Sequence, residues 1–291
     1  MAKLDVALLT CSRFPKLQKD YWPLLDELSS VYKLEVKPVV WNDDDVDWKT
    51  IKNIVICSTW DYCESLGDFT EFLNRTAEYS NIINSPSIIH WNIDKSYLNA
   101  FKNAEIPVID TLWLDEDADF DEIEKFLGRR IVIKPAVGAG SSGMKGFILE
   151  SKDNLSEAKE YARLLSKNVT AMVQPYLKSA DSHGECALVL FGGKLSHAAH
   201  RPVAGHQGTP DQEVETASYV EASENQKEIA SKVATCLPST PAYLRVDFLK
   251  DDEGGDVVLE AEMIEPTLFL EVFPQSIKTY AQILVENHII N

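Results

Sequence analysis

Near the end of the chain, Leu244-Arg245-Val246-Asp247 and Leu259-Glu260-Ala261-Glu262 form two short apolar runs, with Asp251-Asp252-Glu253-Gly254-Gly255-Asp256 between them. A polar, glycine-containing turn between two such runs leaves few options besides an antiparallel hairpin. Side chains alternate along a strand, so Glu260 and Glu262 share a face, as do Arg245 and Asp247. Pairing the strands gathers three carboxylates, Asp247, Glu260 and Glu262, flanked by apolar residues and none of them in the turn. Clustered carboxylates repel, and a hard divalent cation with oxygen ligands is the usual relief. Solvated acids on an exposed strand face are the plainer alternative. Arg245 either stabilises a phosphate beside that cation or pairs with the acids.

A second segment fits the first. Arg130-Ile131-Val132-Ile133-Lys134-Pro135 reads as a strand that runs into Ala136-Val137-Gly138-Ala139-Gly140-Ser141-Ser142-Gly143. Small residues let a backbone wrap closely round an anion, with N–H groups at Gly138, Gly140, Ser141 and Ser142, and Lys134 adds a point charge. A mobile hairpin loop is the alternative. No Lys-Ser/Thr follows the glycines at P-loop spacing, and no Gly-x-Gly-x-x-Gly opens a first-strand turn. Phosphates here and Mg2+ at the acids explain each other, because Mg2+ is bound through few carboxylates together with phosphate oxygens.

Earlier in the chain, short apolar runs alternate with helical stretches: strands over 5–9, 34–40 and 54–57, helices over 21–30 and 68–79. That order indicates a parallel sheet with helical crossovers. Sites in such sheets form beyond the carboxyl ends of the strands, which singles out Arg13 and Trp60-Asp61-Tyr62. Arg13 binds a substrate carboxylate or caps a loop. Trp60, Asp61 and Tyr62 line a substrate pocket, or the two rings pack a domain seam. Prolines mark linkers at Asn84-Ser85-Pro86 and Ile106-Pro107-Val108. A helix is expected over 94–103, an acidic surface helix over 115–127, a return strand over 147–150 and a helix over 156–165. A strand over 171–177 follows, then a hairpin turn at Gly192-Gly193, a lid over 203–215 carrying His206, and helices over 220–237 and 273–288.

The balance of 45% hydrophobic and 25% charged residues is that of a soluble globular protein of two or three domains. A net charge of -18 disfavours nucleic-acid backbones and anionic membranes. No apolar run approaches a membrane span, and the opening segment reads as a first strand rather than a signal peptide, so a cytoplasmic location is expected. The cysteines at 11, 57, 63, 186 and 236 form no paired motif and read as reduced, with Cys57 and Cys186 in the core. The histidines show no zinc-ligand spacing.

Over roughly residues 91–285 the chain resembles the ATP-grasp superfamily of carboxylate-amine ligases. Glu260-Ala261-Glu262-Met263-Ile264-Glu265-Pro266 is similar to the metal-binding segment of glutathione-synthetase-like members, with Glu262 where asparagine is usual. Ser58-Thr59-Trp60-Asp61-Tyr62, Trp91-Asn92-Ile93-Asp94-Lys95 and Ile264-Glu265-Pro266-Thr267-Leu268-Phe269-Leu270 resemble the ligase subgroup of D-cycloserine biosynthesis.

This resemblance implies a mixed α/β and α+β architecture, an ATP-grasp fold joined to an N-terminal Rossmann-like α/β unit. Residues 1–90 would bind substrate, 91–170 would form a small lobe with the glycine-rich lid, and 171–291 would carry the metal site. It implies ATP and Mg2+ as cofactors, with two ions and Mn2+ as a substitute. Lys95 and Lys134 would contact phosphates, and backbone groups at Gln174, Tyr176 and Leu177 would read adenine. Glu185 would hold the ribose, with Asp181 as the alternative. Arg201 and Arg245 would face the transferring phosphoryl group, and Glu265 and Thr267 would meet a small amino-acid-like substrate. The implied reaction activates a carboxylate as an acyl phosphate, releases ADP and joins a nitrogen, as in cyclisation of an O-ureidoserine-like compound. An intermolecular amino-acid or dipeptide ligase, a carboxylate kinase and a non-catalytic nucleotide-binding regulator are the alternatives. No nucleic-acid or membrane partner is implied, and a homodimer is left open.

Overall fold

Strand β1 (Leu4–Thr10) lies between β2 (Val36–Val40) and β3 (Ile51–Ser58), and β4 (Asn81–Ile83) follows β3, all parallel. The structure, a computed structural model, describes residues 4–140, 142–201 and 217–290. Both faces of β1 are buried, as a parallel sheet demands. Val6 and Leu8 pack towards α1 (Trp22–Ser30), while Ala7 and Leu9 pack towards α2 (Leu66–Thr76) through Phe69, Phe72 and Leu73.

Asn84-Ser85-Pro86 is not a linker. Asn84 is buried and ties Tyr243 and Met263 carbonyls at 2.9 Å each, and Pro86 opens α3 (Pro86–Ile93), where its missing N–H costs nothing. After α4 (Tyr97–Asn103) comes an antiparallel sheet ordered β5, β8, β6, β7: β5 is Leu112–Leu114, β6 Arg130–Pro135, β7 Lys145–Ile148 and β8 Ala171–Pro175. The pairing of β8 with β5 and β6 puts residues 171–175 in the same sheet as the strand that leads into the glycine loop. The expected surface helix over 115–127 is instead a 3-10 helix at Phe120–Phe126. Phe120, Ile123 and Phe126 recur every three residues, which suits the tighter turn and buries all three beside α5 (Lys152–Ser166).

The last sheet is ordered β11, β10, β9, β12, β13: β9 is Glu185–Phe191, β10 Lys194–Arg201, β11 Ser218–Tyr219, β12 Tyr243–Lys250 and β13 Asp256–Glu262. A short turn, α6 (Ser179–Ser182), precedes it. One face packs on α7 (Glu224–Thr235), through Ile229, Ala230 and Val233. The other, carrying Ala187, Val189 and Phe191, meets α8 (Gln275–Ile283), whose Tyr280 and Ala281 also close the N-terminal sheet. Cys57 is in the core, whereas Cys186 is only half-buried, its thiol 3.8 Å from Gln226 Oε1. No helix among the described residues is long and apolar enough to cross a membrane.

Candidate active site

A cleft of about 450 Å3 opens between the two antiparallel sheets and the carboxyl ends of β1 and β3. The hairpin of β12 and β13 forms its floor. Arg245 pairs with Glu262 and Asp247 with Glu260 across the ladder, so the three acids present oxygens within 4.8 Å of one another. The register slips between Asp247 and Phe248, which leaves Leu259 as an extra residue on β13. Such a bulge re-aims side chains, and here Leu259 and Glu260 both line the cleft despite being adjacent. The outer edge of β13 meets the backbone of Pro107 and Ile109 at Val258, and beyond that it is held by side chains. Asn92 Nδ2 donates to the Ala261 carbonyl at 2.7 Å and its Oδ1 accepts from Met263 N–H at 2.8 Å, while the Tyr97 hydroxyl both donates to and accepts from Ala261.

Cations balance the acids. Asp247 is wholly buried, and its Oδ2 accepts from Arg201 and Arg245 at 2.8 Å each. Arg245 also donates to Glu262 at 2.6 Å and to the Thr267 carbonyl at 3.1 Å. Lys95 lies 3.6 Å from Glu260 and donates to the Gly138 carbonyl at 2.9 Å, tying the acids to the glycine loop. Lys134 lines the cleft, and its ammonium makes no hydrogen bond or ion pair among the described residues. Burial pushes its ammonium below the ordinary lysine value, with Glu260 pulling the other way.

Burial alone would raise Glu260, but Lys95 and Lys134 outweigh it and hold that carboxyl at about 2. Glu262 is pushed well above the usual carboxylate range by burial, with Arg245 opposing and Glu260 and Asp247 adding to the rise. A hard divalent cation reverses that balance by giving the crowded carboxylates a shared counter-charge. The oxygen-only donor set and its spacing therefore fit Mg2+ or Mn2+.

The glycine loop covers the cleft through Gly138, Gly140 and Ser142, with Gly140 at φ 57° and Gly143 at φ 69°. Ser141 lies outside the described residues, as do the expected lid over 203–215 and its His206. At the far end, Val132, Ile109, Leu177, Leu249 and Leu259 make an apolar slot beside Tyr176. Spacing could have pointed to Val132, two before Lys134, and Leu249, two after Asp247. Leu259 was hidden by the bulge, and Ile109 lies in a loop.

The backbone beside this slot is partly committed. Tyr176 N–H donates to the Arg130 carbonyl at 2.8 Å, so it is not available to a base. Leu177 N–H and the Tyr176 carbonyl have no partner among the described residues. Gln174 is buried, and its side-chain amide donates to Thr111 at 2.8 Å.

Glu185 faces the cleft and pairs with Arg201 at 2.7 Å, its carboxyl pushed up to about 7 by burial against the pull of Arg201. Asp181 is not in the cleft wall; it accepts from the Tyr176 hydroxyl and lies 3.5 Å from Arg130. Gly184 seats Glu185. Its φ is 67°, and an added Cβ would lie 2.4 Å from the Arg201 carbonyl oxygen. Gly184→Ala is expected to cost about 1–3 kcal/mol of backbone strain and to weaken nucleotide binding, checked by thermal melting and by calorimetry with a nonhydrolysable ATP analogue.

The N-terminal unit closes the remaining side. Trp60 Nε1 donates to the Glu265 carbonyl at 3.0 Å, and Phe14 meets its ring edge-on at 5.2 Å. Trp60 thus both packs against the segment after β13 and lines the cleft, while Tyr62 lines the cleft and packs on Phe69 of α2. Arg13 lines the rim with a 3.5 Å exposed pair to Glu64. Asp61 is not in the wall: it accepts from the Trp41 indole at 2.7 Å, and so orders the loop rather than facing the cleft. Cys63, which drew little attention in the sequence, lines the cleft. Glu265 does too, its carboxyl pushed up to about 8 by burial despite Lys95.

Residues 6–84 match the family model of the D-cycloserine synthetase DcsG N-terminal domain. The cycloserine biosynthesis protein DcsG of Streptomyces lavendulae is 29% identical, over 97% of this chain and 98% of that protein. The crystal structure of D-cycloserine synthetase DcsG superposes with a TM-score of 0.85 at 27% identity, covering 97% of this chain and 98% of that one. An ATP-grasp RimK domain protein from Sphaerobacter thermophilus has a TM-score of 0.67 at 16% identity, over 98% and 99% of the two chains. D-alanine–D-alanine ligase from Bacillus anthracis, complexed with ATP, has a TM-score of 0.61 at 18% identity, over 96% and 94%. The chain has the ATP-grasp fold and, over nearly its whole length, resembles the D-cycloserine synthetase DcsG.

Proposed function

We propose that this protein is an ADP-forming ligase that activates the carboxylate of a small amino-acid-like substrate and closes it onto a nitrogen of the same molecule. The observation that carries this reading is Lys134, whose ammonium has no partner among the described residues, in one cleft with the glycine loop, Glu260 and Glu262, while the third acid, Asp247, is buried with its oxygens within 4.8 Å of theirs. The apolar slot, with a Leu177 N–H that has no partner among the described residues, suits adenine, and a nucleotide bound that way would have its phosphates near Lys134 and Lys95. Mg2+ held by the three acids would neutralise phosphate charge and align the terminal phosphoryl group.

The terminal phosphoryl group passes to a substrate carboxylate oxygen, ADP leaves, and the nitrogen then displaces phosphate from the acyl carbon. The protein's work is placement and charge stabilisation. Lys134, Arg201 and Arg245 face the phosphoryl oxygens, and the glycine loop excludes water from the acyl phosphate. Arg13, Trp60, Tyr62 and Glu265 form the substrate end, with Glu265 beside the reacting nitrogen. The resemblance to D-cycloserine synthetase over nearly the whole chain supports ring closure of an O-substituted serine over joining of two molecules.

Purified protein with ATP, Mg2+ and a panel of amino acids and O-substituted serines tests this. ADP and phosphate should appear only with a true substrate, together with a product one water lighter than a single substrate molecule. A product of two substrates less one water would make it an intermolecular ligase, and a stable phosphorylated product a kinase. AMP and pyrophosphate would reject the acyl-phosphate route. Lys134→Ala should weaken binding of a nonhydrolysable ATP analogue by about 1.5–3 kcal/mol, the range for a hydrogen bond to a charged group. Unchanged affinity and turnover would remove Lys134 from the site.

A further inference from the structure

Asp20 is an acid with no part in the cleft, yet it is wholly buried just before α1. A buried carboxylate must be compensated by hydrogen bonds. Here the donors come from the other end of the chain: Leu268 N–H to Oδ2 at 3.0 Å and Glu271 N–H to Oδ1 at 3.1 Å. Between those two residues Phe269 is held at φ 56°, in the left-handed region that a bulky residue rarely enters. The same loop is held from other sides. The Tyr21 hydroxyl donates to the Pro266 carbonyl, and His197 Nε2 meets the Leu268 carbonyl at 2.9 Å. The Thr267 carbonyl accepts from Arg245 Nη1 at 3.1 Å, and the Arg245 guanidinium sits 5.8 Å from the Phe269 ring centre.

We propose that Asp20, assisted by Tyr21, is a positioning residue for Arg245: it holds the strained 266–271 turn so that the Thr267 carbonyl and the Phe269 ring fix the guanidinium that meets the nucleotide phosphates. The inference rests on the phosphate role assigned above to Arg245. Asp247 and Glu262 pull Arg245 towards the acids. The Thr267 carbonyl is a neutral contact from another direction, and it fixes the plane of the guanidinium. Asp20 thereby makes the geometry of the phosphate site depend on docking of the N-terminal unit, although no atom of Asp20 touches a ligand.

Binding measurements on the full chain test this without needing the natural substrate. Asp20→Asn keeps the shape but turns one acceptor into a donor facing an N–H group. The D20N protein is expected to bind adenosine as the wild type does and to bind Mg2+ with a nonhydrolysable ATP analogue about tenfold more weakly, a change of about 1.4 kcal/mol. D20N combined with R245K should bind the analogue no more weakly than R245K alone, because both changes remove the same contact. Equal losses for adenosine and the analogue, or additive effects in the double variant, would show a merely structural role and overturn the proposal. If D20N does not fold, Tyr21→Phe carries the test. Y21F is expected to weaken analogue binding severalfold with adenosine unaffected, and unaltered analogue binding would overturn the proposal. Wild-type protein that binds no Mg2+-nucleotide would instead reject the ligase reading itself.

Discussion

Glu260→Gln is expected to leave the protein folded and to lower Mg2+-dependent turnover at least about a hundredfold, the scale seen when one preorganised electrostatic contact is removed from a reacting centre. Glutamine keeps the shape of the side chain and removes only its charge. That charge faces the cleft, within 3.6 Å of Lys95, with the carboxyl held at about 2. The folded value lies below the ordinary 4.5, so the charge contributes stability above that pH and loses it as the pH falls towards 2. E260Q should therefore lower stability near neutrality and flatten the acid limb, its profile meeting that of the wild type as the pH falls towards 2. ADP release at saturating Mg2+, with melting curves from pH 3 to 8, measures both effects. Near-wild-type turnover would remove Glu260 from the metal site.

Asp247→Ala is expected to act first on the fold. The carboxylate is fully buried and accepts from Arg245 Nε at 2.9 Å as well as from two guanidinium NH2 groups at 2.8 Å. Among the described residues, its removal leaves Arg201 paired with Glu185 and Arg245 paired with Glu262. Breaking a buried charge network from one side costs about 3–5 kcal/mol, because the partner charges stay buried. Chemical denaturation of D247A should show a loss of that size, with an unchanged slope against denaturant. Stability within about 1 kcal/mol of wild type would mean that the arginines are compensated elsewhere.

The two outcomes differ although the residues were read from one motif, and the reason lies in their neighbours. Hairpin periodicity places Asp247, Glu260 and Glu262 together, and the structure has them together. Periodicity carries no information on which acid would be covered by arginines from β10 and β12 and which would face the cleft. Likewise, the parallel N-terminal sheet was legible from its apolar runs, because β1 and β3 are buried along most of their length. The linker expected at Asn84 failed because its side chain bonds backbone more than 150 residues away. Asp20, Asn92 and Tyr97 were silent for the same reason: each spends its polar atoms on distant backbone.

The sequence by itself determined the strand and helix alternation up to the second helix, the acid-bearing hairpin and the lysine-led glycine loop, because each follows from local turn chemistry and hydrophobic period. Only the tertiary structure decided that Asp61 turns to Trp41 rather than the cleft, that a bulge brings Leu259 beside Glu260, and that Tyr176 N–H is already bonded. These depend on which donor meets which acceptor once distant segments are packed together. A buried polar group must find a partner wherever the fold supplies one, and sequence spacing does not show where that is.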